Sequence, residues 1–134
     1  MKIDHREVAS SSQLKFPKFS KAFCVKPGFR YSALQNYCDT IEYITDGFST
    51  NVEDLAYQIS ESLKDYDPDR DCIVPTGTGI VNMLIGYYLA SKHPDSSVAV
   101  AFFQREAMKH NHTVVPEDYT FYRFYPNIIL NQWS

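Results

Sequence analysis

Val98-Ala99-Val100-Ala101-Phe102-Phe103 is an unbroken apolar run inside the segment Ser97–Phe103. A strand with no polar face must be covered on both sides, as in the middle of a parallel sheet flanked by helices. The run is too short for a membrane helix and too rich in β-branched and aromatic residues for a surface loop. Whatever precedes it must therefore supply a covering layer and the crossover connections that parallel strands need.

The preceding sequence has that alternation. Ala22–Val25 is a short candidate strand that ends at the turn Pro27-Gly28. Tyr31–Asp39 carries a brief helical spacing in Tyr31, Leu34 and Cys38, and Thr40–Thr45 reads as a strand stopped by Asp46-Gly47. Thr50-Asn51-Val52-Glu53 has the form of a capping box, with Thr50 expected to cap the helix. Behind it Val52, Leu55, Ala56, Ile59 and Leu63 form one apolar stripe, closed by Pro68.

Asp71–Pro75 is a further short strand, and Thr76-Gly77-Thr78-Gly79 forms the turn out of it. Ile80–Lys92 follows as a helix apolar on nearly every side, which predicts cover on two sides, within the domain or by a second subunit. Beyond the central run come a polar stretch at Gln104–His112 and a strand at Tyr119–Tyr125, with Asn127–Asn131 as an added edge strand. The expected fold is α/β: a small three-layer βαβαβ Rossmann-like unit with a mainly parallel sheet and additional C-terminal edge strands. Residues 1–14 are expected to be a flexible basic and polar arm, and 15–134 a single domain.

Composition narrows the classes. Residues 1–30 hold seven Lys or Arg against two acids, and residues 31–134 six against fourteen, so a basic arm precedes an acidic body. The scattered lysines form no nucleic-acid stripe. Met1–Ser20 lacks the apolar core of a secretory signal, and no run approaches a membrane span. Cys24, Cys38 and Cys72 are odd in number and form no C-x-x-C pair, which argues for reduced thiols in a cytoplasmic protein and against a zinc site. Aromatics make up 15% of the chain, which suits half-buried walls, pockets and partner surfaces.

The best candidate site is the loop Thr76, Gly77, Thr78 and Gly79 with Asn82 one turn into the helix. A strand-to-helix turn at the carboxyl edge of a parallel sheet is where open α/β folds bind ligands. Free amides at the helix start and two hydroxyls suit a phosphate or carboxylate, and the glycines admit close approach. The structural alternative is that Thr78 caps the helix and the glycines only make the turn. No Lys follows the glycines, so the P-loop pattern is absent, and Asn82 stands where a dinucleotide fingerprint needs its third Gly. Phosphoribosyltransferases place two acids before such a loop; here Asp71 is followed by Cys72.

Other motifs weigh less. Asp65, Asp67, Asp69 and Asp71 alternate like a calcium loop, but Arg70 occupies the glycine position and Thr76 that of the bidentate Glu, so a solvated turn is expected. His110 and His112 have no third ligand and belong to a surface loop. Tyr119, Phe121, Arg123 and Tyr125 share a face that either packs on the core, the favoured reading, or stacks a base. Gly86 is expected to mark close packing of the helix against a neighbour.

Three functions follow in order. The first is binding of an anionic, nucleotide-like ligand at 76–79. The second is a non-catalytic protein-interaction or regulatory module acting through the aromatic surface, the basic arm or an oligomer interface. The third is a small nucleotide-directed transferase or hydrolase with Asp71 or Asp46 as acid or base. No cofactor, metal or catalytic set is identifiable, so whether the chain is an enzyme is left open.

Overall fold

The computed structural model describes residues 11–28, 31–77 and 79–133. In chain order its elements are β1 (Ser11–Leu14), β2 (Phe19–Cys24), a 3-10 helix (Ser32–Asn36), β3 (Cys38–Tyr43), α1 (Val52–Ser62) and β4 (Cys72–Val74). α2 (Gly79–Lys92), β5 (Val98–Gln104), β6 (Ala107–Met108), β7 (Val114–Val115), β8 (Asp118–Phe124) and α3 (Pro126–Trp133) complete them. One sheet has six strands in the order β1-β8-β5-β4-β2-β3, and β6 and β7 form a separate two-stranded hairpin.

The fold is mixed α/β. β3, β2, β4 and β5 run parallel, while β8 is antiparallel to β5 and β1 antiparallel to β8. β3 lies on one side of β2 and β4 on the other. Crossovers of one hand must then pass over opposite faces of the sheet. The core divides accordingly. On one face Phe23, Val25, Ile73 and Val98 meet Leu55 and Ile59 of α1 and Val81, Ile85 and Leu89 of α2. On the other, Ala22, Cys24, Cys72, Ala99 and Ala101 meet Leu34 of the 3-10 helix, with Tyr119 and Phe121 of β8.

β5 shows why its sequence has no polar face. Its valines at 98 and 100 point to the helices, and its alanines at 99 and 101 point to the aromatic side. Large and small residues alternate where apolar and polar ones do in a half-exposed strand.

Several expectations change. Asn51, not Thr50, caps α1: its side-chain oxygen accepts from the Asp54 amide at 2.9 Å, so no Thr50–Glu53 capping box forms. The helix stripe is narrower than its spacing implies, since Leu55 and Ile59 are buried while Val52 is exposed. Asn127–Asn131 lies in α3 and adds no strand; Pro126 opens that helix, where a fixed φ and a missing amide cost nothing. The C-terminal strand β8 is not at the edge either, because Ser11–Leu14 pairs with it in register from Ser11↔Phe124 to Leu14↔Phe121. Those four residues, expected in the arm, are thus part of the sheet, and the rest of the arm lies outside the described residues.

α2 is buried on one side only, through Val81, Ile85 and Leu89, and Ile80, Met83 and Tyr87 are exposed. The predicted cover on its second side is not supplied by the described residues. Gly86 is also exposed, and a Cβ built on it would meet nothing within 4 Å, so it does not mark close packing. Gly86→Ala should therefore stabilise the domain by about 1 kcal/mol through helix propensity alone. The check is the urea midpoint, which rises with an unchanged slope; a fall would mean that something packs against the glycine.

Candidate functional site

The carboxyl ends of β4 and β5 and the start of β8 enclose a cavity of about 520 Å³, lined by Pro75, Thr76, Gly77, Phe103, Arg105, Glu117 and Tyr119. Its walls follow from strand pairing. Phe103 stands opposite Tyr119 in the β5–β8 ladder, and their rings lie 5.3 Å apart. The ladder ends at the pair Gln104–Asp118, and Arg105 and Glu117, the residues just beyond it on the two chains, both line the cavity. Side chains two apart on a strand share a face. The aromatic pair and the two charged residues contribute to one side of the cavity, and the loop after β4 contributes the other.

The loop residues fall where the strand-to-helix reading placed them, with distinctions. Gly77 has φ +60°, a left-handed conformation that suits glycine and turns the chain from β4 toward α2. Gly79 needs no such freedom, and a Cβ there would meet nothing within 4 Å. Thr78 lies outside the described residues. Asn82 is not on the cavity wall; its side-chain oxygen is buried and has no hydrogen-bond partner among the described residues.

Tyr31 supports the loop from below. Its hydroxyl donates to the Lys26 carbonyl at 2.6 Å, and the buried Thr76 hydroxyl lies beside it. Burial pushes the Tyr31 phenol up to about 12; the nearby Thr76 hydroxyl works against this, and Cys24 and Tyr43 add to it. Tyr119, itself 5% exposed, is also raised, first by burial and then by Cys24, Tyr31 and Glu117. Both phenols are therefore neutral near pH 7, and Tyr31 spends its one proton on the Lys26 carbonyl.

The charged pair is uncommitted. Among the described residues, neither Arg105 nor Glu117 makes an ion pair or a hydrogen bond, although both line the cavity. The loop is legible in the sequence and Tyr119 falls on a face weighed for stacking a base, but no motif in the sequence marks Phe103, Arg105 and Glu117 as site residues.

The carboxylates proposed for chemistry lie elsewhere. Asp71 is 3% exposed at the amino end of β4, the opposite edge from the cavity. Its two oxygens accept from the Lys21 amide at 3.2 Å and the Asp67 amide at 2.8 Å. The aspartate run is thus a turn tied down by one buried member, not a wholly solvated one. Asp46 accepts from the Phe48 amide at 2.9 Å, closing a turn.

Arg123 donates to the Pro68 carbonyl and the Ser97 hydroxyl, and Tyr119 and Phe121 are buried, so this face of β8 packs on the core as favoured. His110 and His112 are exposed in the β6–β7 connection. Among the described residues there is no group of three or more metal-ligating side chains, and no helix is long and apolar enough to cross a membrane. All three cysteines are buried free thiols. No protein-family model, curated protein or solved structure matches the chain.

Proposed function

We propose that this chain is a binding domain for an anionic, nucleotide-like ligand, held in the cavity at the carboxyl edge of β4 and β5. The observation that carries this reading is the meeting of three elements in one cavity: the Thr76–Gly77 loop, the aromatic pair Phe103–Tyr119 and the uncommitted Arg105. The loop amides and the start of α2 suit a phosphate, the exposed face of Phe103 suits a base, and Arg105 supplies positive charge. We read β2 to β5 with their connections as a Rossmann-like unit, in which a carboxyl-edge site is expected.

The test is thermal denaturation of the full chain with nucleoside monophosphates. A ligand at about a hundred times its dissociation constant should stabilise by about 2.7 kcal/mol. Arg105→Ala should abolish the shift without lowering the melting temperature of the free protein, because Arg105 holds nothing in the fold. Gly79→Ala should leave the free protein's melting temperature no lower, since a methyl group there meets nothing. Gly77 is a poor probe because its left-handed backbone would strain any side chain. A folded protein that shifts with no nucleotide overturns this reading. It would favour the second one, a protein-interaction module, for which the exposed Ile80, Met83 and Tyr87 of α2 speak.

A further inference from the structure

We infer that the base taken by this cavity is guanine, selected by Glu117 and Arg105 acting together; the inference rests on the cavity being a nucleotide site. A carboxylate is a poor neighbour for a phosphate, so Glu117 on the wall of an anion-binding cavity needs a reason. As an ionised side chain it only accepts hydrogen bonds, through two oxygens. Arg105, on the wall of the same cavity, only donates. Neither satisfies the other within ion-pair distance in the free chain. Both line the cavity that holds the exposed Phe103, so a base stacked on that ring presents its edge to a wall that carries an acceptor and a donor.

Guanine is complementary to that pair. Its O6 accepts, and beside it N1–H and the N2 amino group donate in parallel. Glu117 can take both donors while Arg105 donates to O6, and both bonds are charge-assisted. Adenine reverses the pattern, setting an amino group against the guanidinium and a ring-nitrogen lone pair against the carboxylate. Selection against adenine is therefore built from two repulsions as well as two lost bonds. Hypoxanthine keeps O6 and N1–H but lacks the amino group, and falls between. The phosphate is left to the Thr76–Gly77 loop, away from Glu117.

The experiment is isothermal titration calorimetry of the full chain with GMP, IMP, AMP and ribose 5-phosphate, repeated on Glu117→Gln and Arg105→Gln. The expected order is GMP, then IMP, then AMP, with GMP at least about tenfold tighter than AMP. In E117Q the GMP preference should fall to within about threefold, because the amide offers one acceptor in place of two. Ribose 5-phosphate, which has no base, should bind the wild type and E117Q alike. Equal binding of GMP and AMP, or a preference that survives E117Q, overturns the guanine assignment and leaves the nucleotide site standing. No binding by any of the four to the folded wild type overturns both. Melting curves of each variant, unchanged from the wild type, exclude misfolding as the cause.

Discussion

Phe23→Ala should lower the stability of the domain by about 4 kcal/mol, the largest effect expected of any single truncation here. Phe23 is wholly buried near the carboxyl end of β2, in the layer where both helices meet the sheet. Its ring packs edge-on to Tyr66 at 5.8 Å, so truncation removes an aromatic contact as well as apolar area. The neighbours cannot collapse into the gap, because β2 is pinned on both sides by parallel ladders to β3 and β4. The midpoint of thermal unfolding should fall by about 15 °C for a chain of this size. Denaturant titration checks this; a loss below about 1 kcal/mol would mean that the helices do not rest on β2 as described.

The second large effect is expected at Asp71. Asp71→Ala strands the Lys21 and Asp67 amides, both held by its buried carboxylate, and should cost about 3 kcal/mol. Asp71→Asn keeps one acceptor and should recover part of the loss, giving the order wild type, Asn, Ala in urea unfolding. Because the residue stands at the sheet edge opposite the cavity, both variants should bind ligand normally at temperatures where they are folded. Loss of binding by a folded Asp71→Asn would return the residue to the chemistry for which the sequence reading considered it.

What could be read in the sequence was local. Six apolar residues in a row at 98–103 place a central strand without any knowledge of its neighbours. The change of period between Val74 and Ile80 places a strand-to-helix turn at the glycines. Burial of Asp71 and exposure of Gly86 had no such signature, because each depends on what other segments bring to it. The edges went wrong for the same reason: nothing in Ser11-Ser12-Gln13-Leu14 announces a strand, and its pairing is dictated by β8, far along the chain.

Half of the site was hidden in this way. Thr76 and Gly77 are visible as a turn, but Phe103 and Arg105 meet Glu117 and Tyr119 only because β5 and β8 pair antiparallel across an intervening hairpin. A usable signal did exist. Two i, i+2 pairs of one aromatic and one charged residue, Phe103/Arg105 and Glu117/Tyr119, stand in mirrored order on either side of a polar excursion. Supposing an antiparallel ladder there would have set the aromatics together and the charges together.

The place of β8 between β5 and β1 has a consequence for how the protein is made. As the chain leaves the ribosome, β2 to β5 can assemble with α1 and α2 already in hand, but β5 then stands as a bare border. Its amides are unpaired and its apolar residues uncovered until β8 arrives, the kind of border on which a second nascent chain can dock. β1, synthesised before all of them, has nothing to bind until that same moment. β1, the earliest of the described strands in the chain, is thus seated last, and the interval before it leaves the border of β5 open to self-association.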